Sequence, residues 1–190
     1  MIVATIARGF EERGEPVKGT LVHTIDRQER CLFNENKPIG FVIPEIVPTL
    51  AERVEVHTNS DSSSAEKYAA KESLDFAFID GNHQHPWPLL DALHLLPLMR
   101  PGSWMALHDI ANPPGREASQ IRMGAQWVFD EWPAPSIKGG YIGAVQAPER
   151  RSALKGFVEG LLKHPFEVSE SGWKKYRKRV EEAAQKALAD

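Results

Sequence analysis

The chain has 190 residues, enough for one domain with a sizeable core, and its 23 basic against 26 acidic residues exclude a general electrostatic pull toward nucleic acid or anionic membrane. A single cysteine, Cys31, excludes an internal disulfide and fits a reducing compartment. No stretch approaches the about 20 apolar residues of a membrane span, and Arg8, Glu11 and Glu12 arrive before a signal-peptide core could form, so a cytoplasmic protein is expected.

Ile2, Val3, Ile6 and Phe10 recur at helical spacing and predict an amphipathic helix over residues 2–13, ended near Gly14 and Pro16. Gly19 to Asp26 reads as a short buried strand that stops at an acid. Pro38, Pro44 and Pro48 argue against a long helix between Cys31 and Pro48. Arg53 to Thr58 is a second strand, followed by the polar loop Asn59 to Ser64 and a helix over Ala65 to Lys71. The clearest strand is Leu74 to Asp80, running into the loop Gly81 to Pro86. Trp87 to Met99 has helical period with apolar residues on more than one side, which predicts a buried helix stopped by Arg100-Pro101-Gly102. Ser103 to Asp109 is the next strand and Asn112 to Gly115 a turn. A helix over Met123 to Trp132, a strand over Tyr141 to Val145, and helices over Ser152 to Lys163 and Ser171 to Ala189 complete the chain. On the last helix Trp173, Tyr176, Val180, Ala184 and Leu188 form the apolar stripe, so the basic run from Lys174 to Arg179 is its wet face.

Strands alternating with helices predict an α/β, Rossmann-like fold: a mainly parallel sheet with helices on both faces, as a single domain over 1–190 with a helical extension at about 152–189. Such sheets bind ligands beyond the C-terminal ends of their strands. Asp26, Asp80 and Asp109 each close a predicted strand, which places three acids on that rim.

The block from Phe78-Ile79-Asp80-Gly81-Asn82-His83, through Leu98-Met99-Arg100-Pro101-Gly102, to Leu107-His108-Asp109 resembles the class I S-adenosylmethionine-dependent methyltransferases of the small O-methyltransferase type. In that family the fourth strand ends in Ile-Asp-Gly-Asp-His and the fifth in His-Asp; here Asn82 replaces the second aspartate. The resemblance extends through Gly140-Tyr141-Ile142-Gly143, which is similar to the family's glycine-bearing final strand. It implies S-adenosylmethionine as cofactor, with Asp26 on the ribose hydroxyls, Asp61 and Ser62 near the adenine, and Asp80 as a further contact. The family's first strand and glycine-rich turn precede its first helix, whereas this chain begins at what would be that helix, so the first strand is expected to be missing.

Methyl transfer to an oxygen needs a base near the acceptor and a site that aligns the two reactants. His83 and Asp109 are the candidate catalytic residues, since both fall on the rim. His108 reads as a residue just inside a strand, His85 as shaping its loop, and His23, His57, His94 and His164 as structural or surface residues without partners at useful spacing. Some relatives hold a divalent metal at positions matching Asp80 and Asp109, but Ile110 stands where a further oxygen ligand would be wanted, so a divalent metal is the less favoured reading, no ligand is assigned, and His83 or His108 would suit a transition metal instead.

The expected activity is methyl transfer to a small hydroxylated acceptor, without nucleic-acid or membrane partners and compatible with a homo-oligomer. The alternative is a degenerate, catalytically inactive family member serving as a binding or assembly module, and a metal-dependent hydrolase built on the histidines and acids around Asp80 stands behind both.

Overall fold

The computed structural model describes residues 22–49, 51–111 and 124–189. The expected helix over residues 2–13, the missing first strand and the Asn112 to Gly115 turn lie outside them. The chain divides into two compact units, Met1–Tyr68 and Ala69–Asp190.

In the first unit, strand β1 (Val22–Ile25) pairs in parallel with β4 (Val54–His57), matching His23 with Glu55 and Ile25 with His57. Between them the chain forms a small antiparallel hairpin, β2 (Arg30–Cys31) and β3 (Asn34–Pro38), and one short helix, α1 (Ile43–Ile46). The prolines act as expected: Pro38 closes β3, Pro44 sits in the first turn of α1, and Pro48 follows its end. The helix expected over Ala65 to Lys71 is instead a tight 3-10 segment, Ser62–Lys67. Asp61 caps it by accepting the Ser63 amide at 3.1 Å, and Ser64 Oγ donates back to the Asp61 carbonyl at 2.8 Å. Such local serine and aspartate bonds compete with a regular helix.

The second unit is built on a four-stranded sheet in the order β5-β6-β8-β7. Strand β5 (Leu74–Ile79) leads through helix α2 (Trp87–Leu95) and a 3-10 turn (Leu96–Leu98) to β6 (Met99–Leu107), which runs parallel to β5. The chain returns through helix α3 (Gly124–Asp130) and the hairpin of β7 (Ser136–Gly139) and β8 (Ile142–Gln146), with β8 antiparallel to β6. A 3-10 turn (Arg151–Leu154) and helices α4 (Lys155–Leu161) and α5 (Glu170–Ala187) follow. The fold is thus mixed α/β and Rossmann-like, with parallel pairs in both units.

Arg100-Pro101-Gly102 does not separate helix from strand as expected. It is a bulge within β6: Leu74 pairs with Met99, and the next pair is Phe76 with Trp104. Gly102 supplies the positive φ of 76° that this bulge requires. The sequence also gave no sign of β7, because all four of its residues are exposed and carry no burial period.

The core of this unit joins Leu89, Leu90 and Leu93 of α2 to Met105 and Leu107 of β6, Val145 of β8, Val128 of α3 and Leu161 of α4. Helix α5 adds Val180, Ala183, Ala184 and Ala187, and Tyr176 meets Trp87 edge-on at 4.6 Å. The stripe read from the sequence is therefore rotated slightly: Trp173, at its outer end, is an exposed residue.

His85 is fully buried beside the Trp127, Phe166 and His164 rings. Its Nε2 donates to the Leu161 carbonyl at 3.1 Å, while Nδ1 has no partner among the described residues. Burial, reinforced by nearby His164, pushes the imidazole down to about 4, with the Leu161 hydrogen bond opposing. The charged groups nearest it are His164 and Glu167, whose carboxylate accepts the His85 amide at 2.6 Å. A folded value below the unfolded one means that stability is full above pH 6.5 and is lost as pH falls toward 4. The loss should be on the order of 3 kcal/mol. Urea unfolding from pH 7 to pH 4 should show a flatter stability curve for His85→Gln than for the parent; equal slopes would mean that another group carries the acid sensitivity.

Candidate functional site

The parallel register of β5 and β6 matches Ile79 with Leu107, so both strands end at one level, and the His108 amide extends the ladder by donating to the Ile79 carbonyl at 3.0 Å. Asp80 and Asp109 leave the sheet on the same rim. His108 stands one residue beyond β6 rather than inside it.

Asp109 takes a left-handed backbone conformation, φ 56°, which aspartate tolerates better than most residues. Its side chain reaches both histidines: Oδ2 is 3.0 Å from His83 Nδ1, and Oδ1 is 3.1 Å from His108 Nδ1. Asp80 Oδ1 lies 3.3 Å from His83 Nε2 and 3.3 Å from His108 Nδ1. Both ring nitrogens of His83 thus face a carboxylate, while a neutral imidazole has one N–H to give. His108 Nδ1 is closed off from solvent, yet neither of its close carboxylate contacts is aligned as a hydrogen bond. Asp80, His83 and His108, each offering one donor, could also hold a transition ion between them, a donor set that suits such an ion better than magnesium. Ile110 is fully buried and gives no further oxygen.

The loop carrying His83 is held by its backbone. Asn82 Oδ1 accepts the Gln84 amide at 3.0 Å, the Gln84 carbonyl accepts from Trp87 at 2.9 Å, and the His83 carbonyl accepts from Gly124 at 3.0 Å. Glu167 binds the His85 amide with its carboxylate and donates its own amide to the His85 carbonyl at 2.8 Å. His85 therefore shapes the loop, as its sequence context indicated.

A family model described as a methyltransferase domain matches residues 2–110, more than half of the chain. The chain belongs to this family of class I, S-adenosylmethionine-dependent methyltransferases. No curated protein matches its sequence. The match covers both strands that end at Asp80 and Asp109, so the rim cluster sits in the methyltransferase region of the chain. In the first unit the expected cofactor residues follow β1 and β4. Asp26 Oδ1 accepts the Gln28 amide at 2.8 Å, and its carbonyl accepts the Ser60 amide at 3.0 Å. The next residue, Arg27, lines an open polar depression together with Asn59, Ser60, Asp61, Ser63 and Lys67.

Two histidines read as lacking partners do have them. His23 Nδ1 and His57 Nε2 are 3.1 Å apart on neighbouring strands of the first unit, with Glu55 beside both. Burial holds His23 below its ordinary value, Glu55 opposes, and His57 adds to the lowering. His164 also has a partner, Glu131 at 2.5 Å, and stacks on Trp127. Sequence spacing could not show these pairs, because the partners lie 34 and 33 positions apart.

A Cβ on Gly124 would lie 2.7 Å from the His83 carbonyl oxygen and 2.8 Å from both Gln84 C and His85 N. Those are backbone atoms of the His83 loop, so Gly124→Ala should force the loop outward and cost about 1–3 kcal/mol of stability. Chemical unfolding checks the cost; a neutral effect would show the loop to be looser than this packing implies.

Proposed function

We propose that the chain transfers a methyl group from S-adenosylmethionine to the oxygen of a small hydroxylated acceptor, with His83 as the general base. The observation that supports this reading is the placement of His83 on the rim of a parallel strand pair, with a carboxylate against each ring nitrogen, in a methyltransferase chain.

When bound, S-adenosylmethionine supplies an electrophilic methyl group on a sulfonium. The protein has to orient the acceptor and remove its proton. Asp80 Oδ1 accepts the hydrogen bond of His83 Nε2 at 3.3 Å and so favours the tautomer in which Nδ1 is basic. His83 Nδ1 takes the hydroxyl proton of the acceptor, and Asp109, 3.0 Å from that nitrogen, stabilises the imidazolium that results. The ring is largely covered, at 17% exposure, while the two carboxylates stay open to an incoming acceptor. Asp26, Asp61 and Ser62, all in the first unit, are the proposed cofactor contacts.

The test uses methyl-labelled S-adenosylmethionine and a panel of small phenols and alcohols. The parent chain should label an acceptor, and His83→Gln and Asp109→Asn should each lower kcat by about a hundredfold or more. Asp109→Gly should be as slow as Asp109→Asn yet no less stable, because glycine relieves the left-handed backbone. Transfer indifferent to His83→Gln would remove the base. Calorimetry with S-adenosylhomocysteine tests the cofactor contacts: Asp26→Ala should weaken binding at least tenfold. An intact fold with neither transfer nor binding would favour a binding or assembly module.

A further inference from the structure

We propose that His23, Glu55 and His57 form a binding site for a divalent transition ion of the zinc type, taking one donor atom from each side chain. The three converge because of strand pairing. In the parallel register His23 lies directly beside Glu55, and His57 lies two residues beyond Glu55 on the same strand, hence on the same face.

The donor atoms form a nearly regular triangle. His23 Nδ1 and His57 Nε2 are 3.1 Å apart, Glu55 Oε2 is 3.5 Å from the first and 3.7 Å from the second. A point just above the plane of these three atoms lies about 2.1 Å from each, within the bond lengths zinc makes with imidazole nitrogen and carboxylate oxygen. One N–H shared between the imidazoles explains their 3.1 Å contact, and a bound ion would replace that proton.

The surroundings suit a bound ion. Tyr68 stacks on His57 with ring centroids 3.5 Å apart and planes 6° from parallel, which fixes the imidazole orientation. His23 and His57 are mostly covered, whereas Glu55 is half exposed and opens a route from solvent. Two imidazoles and one carboxylate favour zinc, cobalt, nickel or copper over magnesium or calcium. Three protein donors leave a fourth tetrahedral position for water or another small ligand.

Cobalt(II) is the probe, because tetrahedral nitrogen and oxygen ligation gives it visible absorption bands. The full chain, stripped with a chelator, should take up cobalt with such bands, and zinc should displace it. In a His108→Gln background, which removes one donor of the other cluster, the bands should persist, and adding His23→Gln or Glu55→Gln should weaken cobalt binding at least tenfold. Glu55 is half exposed, so Glu55→Gln remains decisive should His23→Gln fail to fold. No bands, bands that survive both substitutions in the first unit, or bands already lost in the His108→Gln background would each overturn the proposal. Methyl-transfer activity does not enter this test, so the site stands or falls independently of the catalytic reading.

Discussion

The candidate site depends on the common level at which two parallel strands end. Ile79 is paired with Leu107, and the His108 amide continues the ladder onto the Ile79 carbonyl, so the residues that follow must emerge together. A side-chain period of two makes this alignment strict, since a one-residue slip would turn Met105 and Leu107 out of the core. The buried face of β6 therefore fixes where Asp80 and Asp109 stand. The left-handed turn at Asp109 then directs its carboxylate toward the histidines.

The second requirement is a loop that holds still. His83 is largely covered, yet it lies on a connection rather than on a strand or helix. Its backbone is fixed by Asn82, Gly124 and Glu167, which come from within the loop, from α3 and from the segment before α5. Neutral, buried His85 anchors the far end of the same loop. Protonation of His85 would weaken the support of His83 even though the two rings do different work.

Much of the second unit was legible in the sequence because its signals are local. Leu74 to Asp80 is a short, mostly apolar run that ends in an acid, α2 is apolar on several sides, and the acids closing β5 and β6 could be placed on one rim from strand direction alone. The resemblance carried by Phe78 to His83 and by Leu107 to Asp109 led to the family that the domain match shows. What escaped was non-local or cancelled by context. The bulge at Arg100 to Gly102 looked like a stop because proline and glycine ordinarily punctuate, yet Met99 still reaches Leu74 across it. His23 and His57 looked solitary because only the register of β1 against β4 brings them together. The serines after Asp61 turned an expected helix into a tighter one through bonds that a helical period does not report.

The antiparallel pairing of β8 with β6 has a consequence for where this domain can be cut. The methyltransferase match stops at residue 110, just past β6, but β8 covers the remaining edge of that strand with pairs from Trp104–Gln146 to Leu107–Gly143. Val145 and Val128, also from beyond the match, are fully buried in the shared core. A fragment ended at residue 110 would offer the open backbone of β6 and the bare sides of Met105 and Leu107 to any neighbouring chain, the ordinary beginning of edge-to-edge aggregation. The matched region is thus a unit of descent but not a unit of folding.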